Sequence, residues 1–299
     1  MTLPDDASHA DAPHGDSLAA DLAMLLRVEG SRRQSLRWLL AGAATLPMLG
    51  CGGSSSSGSA DAASSLAAAG GGSTTTTTTT PTGSCSVIPE ETGGPYPADG
   101  TNSNGSGVVD VLTMSGIVRS DIRSSFGGAT AVAAGVPLTI KLQLENVSSS
   151  CALLDGYAVY LWHCDRDGNY SLYANSVLTQ NYLRGVQASG SDGTVTFTTI
   201  FPACYSGRMT HVHLEIYPSL AKATNAANRI KTTQFTFPMA TLDEVYATSG
   251  YSASVTNLAQ TSYATDLVFS DGTALEMASM SGNPTDGYVA TLTVGVNGS

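Results

Sequence analysis

A succession of short runs, rich in β-branched and aromatic residues and closed by Gly, Asp, Asn or Pro, limits this chain to an all-β architecture. The runs are VDVLTMSGIVRS, VPLTIKLQLENV, YAVYLWHC, GTVTFTTIFP, HVHLEIYP, KTTQFTFP and YVATLTVGV, each the length and composition of a strand. Alternation is clearest in Leu138, Ile140, Leu142 and Leu144, whose neighbours Thr139, Lys141 and Gln143 would face water. Such spacing predicts a β-sandwich. Helix is expected only in short pieces, at residues 239–248 after Pro238 and at residues 219–227. Chemistry would then fall to the loops between strands.

All of these runs lie beyond residue 84, and the sequence before them reads differently. SRRQSLRWLLAGAATLPMLGC carries Arg32 and Arg33, an apolar run from Trp38 to Leu49, and a small residue before Cys51. That pattern predicts a twin-arginine export signal over residues 1–51 with a lipoprotein-type cysteine. The apolar run is about twelve residues, short of the roughly 18–20 a membrane-spanning helix needs. Residues 1–30 hold Asp5, Asp6, Asp11, Asp16, Asp21 and Glu29 against Arg27, whereas the head of a signal is normally positive; a start at Met24 would restore that. Residues 52–84 are Gly, Ser, Ala and Thr apart from Asp61, Leu66 and Pro81, with an unbroken threonine run at 74–80. Too little apolar surface is available there to offset ordering entropy, so a disordered, flexible tether is expected.

The domain itself is expected at residues 85–299, long enough for one substantial core. Nine basic and seventeen acidic side chains in it give a formal net charge of −8. A negative surface argues against nucleic acid and against anionic lipid as partners, leaving a lipid on Cys51 as the expected membrane contact. Cys85, Cys151, Cys164 and Cys204 form an even set without C-x-x-C spacing. In an exported chain this favours disulfides over thiolate ligation, with three connectivities open.

Chemistry-bearing residues concentrate in two places. CYSGRMTHVHLEIY brings Tyr205, Arg208, His211 and His213 close together, and WHCDRDGNYSLY supplies Tyr170 upstream. On a strand, period two places His211, His213, Glu215 and Tyr217 on one face and Val212, Leu214 and Ile216 on the other. Two imidazoles on one face can chelate, although paired histidines also occur facing water or a polar groove. Tyrosine is the informative partner: phenolate is a hard anionic donor, and with a reference pKa of about 10 it stays deprotonated only beside a strongly Lewis-acidic ion. The two tyrosines and two histidines, Tyr170, Tyr205, His211 and His213, therefore form a candidate ligand set that favours ferric iron over zinc, with Arg208 beside it. His163 adjoins them in sequence, but its strand neighbours predict a core role.

PEETGGPYP, DGYAVYLWHCDRDGNYSLY and NYLRGVQASGSDGTVTFTTIFPACYSGRMTHVHLEIY, taken in order, resemble the intradiol ring-cleavage dioxygenases of the catechol and protocatechuate class, most closely their exported single-domain relatives. The likeness runs from about residue 85 to about residue 237. It implies a β-sandwich holding non-haem Fe(III) through Tyr170, Tyr205, His211 and His213. Arg208 would match the family's active-site arginine, stabilising negative charge that develops on the substrate ring. Gln234 would match its glutamine, with a spacing shifted by residues 219–230. Tyr205 would leave the iron as substrate binds and take up a proton.

Two departures stand out. Ala203 and Cys204 precede Tyr205, where the family often has a glycine and a bulky residue, so a disulfide at Cys204 would restrain that tyrosine. Gly93 replaces an acidic residue common in PEETGGPYP-type segments. Tyr96, in the same segment, is placed equally well in a pocket wall or in the core.

The function expected is O2-dependent cleavage of a small aromatic diol between its hydroxylated carbons, outside the cytoplasm. An exported β-sandwich binding module that keeps the metal without turnover is the alternative from another class. A copper or zinc site of hydrolytic or redox type is the third.

Overall fold

The computed structural model describes residues 85–298. The export signal, the lipoprotein cysteine Cys51 and the tether expected over residues 1–84 lie outside these residues, so nothing structural bears on them.

Two sheets face one another. The first holds β3 (Pro137–Asn146) at its centre, parallel to β11 (Gly287–Val296) on one edge and antiparallel to β7 (Thr194–Ile200) on the other. β10 (Ser279–Asn283) extends it beyond β11, and the two-residue β4 (Ala152–Leu153) pairs with the end of β3. The second sheet is antiparallel in the order β6 (Arg184–Ala188), β5 (Ala158–Trp162), β8 (Val212–Tyr217), β9 (Lys231–Phe235). β1 (Asp99–Ser103) and β2 (Val108–Asp110) form a separate antiparallel pair.

The alternation read in β3 sets the core. Leu138, Ile140, Leu142 and Leu144 are buried with Val195, Phe197, Ala290 and Val294 of their own sheet. Across the gap they meet Val159, Leu161, Val212, Leu214, Ile216 and Phe235, an aligned sandwich interior. β5 and β8, however, are buried at every residue. Their second face is covered by a separate apolar cluster in which Val111, Leu112, Ile117 and Tyr170 cap Tyr160, Trp162 and Tyr217. The second sheet is thus enclosed on both sides, and its outer face carries the candidate site.

Expected and observed elements differ in instructive places. Only Val109 and Asp110 of VDVLTMSGIVRS are strand, as the end of β2; turns follow at Thr113 and Gly116, the latter at φ +96°, and Val118 makes a single bridge to Val186. The helix expected after Pro238 is α1 (Met239–Tyr246), which buries Thr241, Leu242, Val245 and Tyr246 as one stripe. Residues 219–227, expected as a short helix, form turns ending in a 3-10 turn at Ala226–Asn228. A second helix, α2 (Ser252–Leu258), has no strong sequence signal.

Cysteine connectivity is settled among the described residues: Cys85 is bonded to Cys151 across 66 positions, while Cys164 and Cys204 are free and buried. Of the disulfides that the even count favoured, one is present, and Cys204 is in none. Its thiol donates to Arg208 O at 3.3 Å, and burial pushes its pKa up to about 12. The residue before Tyr205 is nonetheless tied. Cys204 N donates to Ser254 Oγ at 3.1 Å and Asn257 Nδ2 donates to Cys204 O at 2.9 Å, so α2 restrains this segment by hydrogen bonds.

Candidate metal centre

Strand register assembles the floor of the site. Pairing of β6 with β5, β5 with β8 and β8 with β9 sets Arg184, Trp162, His213 and Gln234 opposite one another in a single row, and directly opposed residues share a face. The 219–230 excursion leaves that register intact, so Gln234 falls beside His213. Glu215, Tyr160 and Thr232 form the next row on the same face.

Loops deliver the remaining donors. Tyr170 lies in the segment after β5; Tyr205 and Arg208 lie between β7 and β8, and His211 immediately precedes β8. The Tyr170 hydroxyl stands 3.1 Å from His211 Nε2 and 3.2 Å from His213 Nε2. The Tyr205 hydroxyl stands 3.2 Å from His211 Nε2. Every expected metal ligand is brought to this one point.

His211 is held in the tautomer that can bind metal. His211 Nδ1–H donates to Met209 O at 2.6 Å, which leaves Nε2 unprotonated and its lone pair aimed at the tyrosines. The His213 ring stacks on Trp162, centroids 4.8 Å apart and 3° from parallel, and meets His211 edge-on at 85°. Burial, reinforced by Arg208, holds His211 well below the usual imidazole pKa. For His213 burial again dominates, followed by His211, Arg208 and Arg184. Both rings are neutral at physiological pH.

Two phenols and two imidazoles whose Nε2 atoms face them form a mixed N/O donor set suited to a hard ion. Among the described residues, the one group of three His, Cys, Asp or Glu donors within 4.8 Å is Cys85, Glu145 and Cys151, and its cysteines are bonded to each other. The donor set fits ferric iron, with Tyr170, Tyr205, His211 and His213 as the residues that would hold it.

Arg208 is buried and adjoins the ligands. Its Nη2 donates to Gln234 Oε1 at 2.8 Å, and Gln234 Nε2 donates to Thr92 O at 2.8 Å. Arg208 Nε also donates to Asp266 Oδ2, a partner that no motif flagged. His163 has the expected core role: Nδ1 donates to Cys164 O at 2.8 Å and Nε2 meets Thr199 Oγ1 at 2.7 Å. Tyr96 packs its ring 5.0 Å from that of Tyr170 and 5.1 Å from that of Tyr173. Glu215 and Tyr217 share the face of His213 as the period predicts, but serve a neighbouring polar cluster. Tyr217 donates to Glu215 Oε2 at 2.6 Å, and burial together with Asp99 pushes the Glu215 carboxyl up to about 8.

The sequence matches no protein-family model and no curated protein. Solved structures do share the fold. An intradiol ring-cleavage dioxygenase from Tetranychus urticae is 24% identical with a TM-score of 0.55, over 71% of this chain and 95% of that one. A second dioxygenase crystal structure is 23% identical with a TM-score of 0.55, over 71% and 95%. The dioxygenase domain of a dioxygenase and carbohydrate-binding fusion from Streptomyces sp. SirexAA-E is 23% identical with a TM-score of 0.45, over 72% and 100%. The described residues thus have the β-sandwich fold seen in intradiol ring-cleavage dioxygenases, spanning nearly the whole of the T. urticae structure.

Proposed function

We propose that this chain is a non-haem Fe(III) intradiol dioxygenase, exported from the cytoplasm, which uses O2 to open a catechol-type ring between its two hydroxylated carbons. The carrying observation is the meeting of the Tyr170 and Tyr205 hydroxyls with the Nε2 atoms of His211 and His213 at 3.1–3.2 Å. Tyr170, Tyr205, His211 and His213 would hold ferric iron there, which would supply Lewis acidity that makes a diol ring more reactive toward O2.

The protein residues divide the remaining work. Tyr170, His211 and His213 hold position, each braced by packing or a backbone hydrogen bond. Tyr205 is the ligand that turns aside as the diol binds, and its phenolate oxygen is the acceptor for one diol proton. Arg208 presents a fixed cation beside the ring, its orientation set by Gln234 and Asp266. Burial of all these groups excludes water and strengthens each electrostatic contact. Export by the twin-arginine route and lipid attachment at Cys51 complete the reading, since that route carries proteins already folded around a cofactor.

Oxygen uptake by the iron-loaded full chain with simple and substituted catechols tests the proposal, with Tyr205→Phe as the control. Uptake with a visible tyrosinate charge-transfer band is the expected result. A coloured protein without uptake would leave the binding module in its place. A colourless iron-loaded protein would end the metal assignment.

A further inference from the structure

Arg184 is among the largest fully buried side chains in the domain, 1% exposed. Unlike Arg208, its guanidinium has only neutral hydrogen-bond acceptors. Nε donates to Ser171 Oγ at 3.1 Å and Nη2 to Ser171 O at 2.9 Å. Nη1 donates to Pro97 O at 3.0 Å and to the Tyr160 hydroxyl at 3.2 Å, and Tyr160 itself donates to Pro97 O at 2.6 Å. Tyr173 lies under the guanidinium carbon, 5.5 Å from it to the ring centroid.

Both segments held this way carry aromatic residues of the site. Ser171 follows Tyr170, and Pro97 follows Tyr96, whose ring packs on Tyr170. Arg184 in turn occupies the same cross-strand row as Trp162 and His213. One planar side chain therefore ties the Tyr170 loop and the covering Pro97 segment to the strand row that bears a histidine ligand. Burying a guanidinium without a carboxylate partner is costly, and a space-filling role alone would be met by Met or Leu. The fork geometry explains the residue type: four bonds leave in fixed directions from one plane, which the single ammonium of lysine cannot reproduce.

We infer that Arg184 is a positioning residue of the candidate metal centre, fixing the Tyr170 hydroxyl against the Nε2 atoms of His211 and His213. The inference rests on the metal-centre reading for its consequence, but the tie itself is a property of the metal-free fold.

Two measurements on the full chain separate these. In metal-free Arg184→Lys, amide exchange is expected to rise about tenfold or more at Ala98, Tyr173 and Ala174, which are bonded to Tyr173 Oη, Tyr170 O and Tyr170 O respectively, while β3 and β11 stay protected. Iron affinity, read by chelator competition, is expected to fall about tenfold in the wild-type background and not further in Tyr170→Phe. Unchanged exchange in those amides would overturn the tie, whatever the metal does. Equal losses of affinity in both backgrounds would overturn action through Tyr170 and leave a general structural role. If wild type binds no iron, the metal reading fails while the exchange result still decides the tie. Should Arg184→Lys not fold, Ser171→Ala removes one acceptor, and the same two comparisons apply with a smaller change expected in the same direction.

Discussion

Arg208 Nε lies 3.0 Å from Asp266 Oδ2, with both side chains wholly buried. Asp266 also accepts from Met209 N at 2.6 Å, Val268 N at 2.8 Å and Phe269 N at 3.1 Å. Met209 O receives the Nδ1 proton of His211. A single carboxylate in the C-terminal tail thus fixes the arginine of the site and the backbone that orients one histidine.

Asp266→Ala would remove the buried carboxylate that faces the Arg208 cation. Breaking a buried pair from one side costs about 3–5 kcal/mol, and urea unfolding of the variant should read a loss of that order. In a domain of this size the melting temperature should fall by on the order of 10 °C. A loss below ~1 kcal/mol would match an exposed pair and contradict the burial described.

The paired cysteines make a second prediction. Closing a loop of 66 positions between Cys85 and Cys151 stabilises by roughly 4 kcal/mol on chain-entropy grounds. Reductant should therefore lower stability by up to that amount, and Cys85→Ala should abolish the sensitivity. Cys204→Ala should retain it in full, because that thiol is free. Loss of reductant sensitivity in Cys204→Ala would show that it is paired in solution.

Much of this arrangement is legible in the sequence because it depends on period. Alternation in β3 and the H-x-H spacing on β8 each fix a face from neighbouring residues alone, and the tyrosines stand out by donor chemistry. What escapes is tertiary. Asp266 and Arg184 lie far in sequence from the groups they hold, and no local pattern names their partners. The α2 segment SASVTNL has poor intrinsic helix propensity, and its side-chain bonds to Cys204 become visible only once the chain is folded. Free Cys164 and Cys204 show that an even cysteine count does not by itself pair every thiol.

His163 gives a pH dependence whose sign can be worked out. Its donor and acceptor bonds suit the neutral ring, and burial lowers its pKa to about 4. In the unfolded chain, imidazole takes its proton near pH 6.5. Between these values the unfolded state binds more protons, so stability is full above pH 6.5 and is lost as pH falls toward 4. His163→Gln does not titrate, and the stability gap between pH 7 and pH 4.5 should shrink by on the order of 2 kcal/mol. An unchanged gap in paired urea titrations would mean that His163 is not the group being charged.

The two tyrosines should differ in how much they hold. Tyr170 is 3% exposed, its hydroxyl within 3.2 Å of both Nε2 atoms and its ring packed by Tyr96 and His213. Tyr205 is 9% exposed, and its hydroxyl approaches His211. The backbone before Tyr205 is pinned by α2, so turning off the site requires only side-chain rotation. Tyr170→Phe removes the hydroxyl that both Nε2 atoms face, whereas Tyr205→Phe removes one that faces His211, so the first change costs the buried polar cluster more. Iron affinity should therefore fall roughly tenfold further in Tyr170→Phe than in Tyr205→Phe, the scale at which loss of even an outer-shell partner is felt. Tyr205→Phe should keep a tyrosinate band from Tyr170 while losing diol-dependent oxygen uptake. Equal affinity losses in the two variants would reject the division into a fixed and a departing ligand.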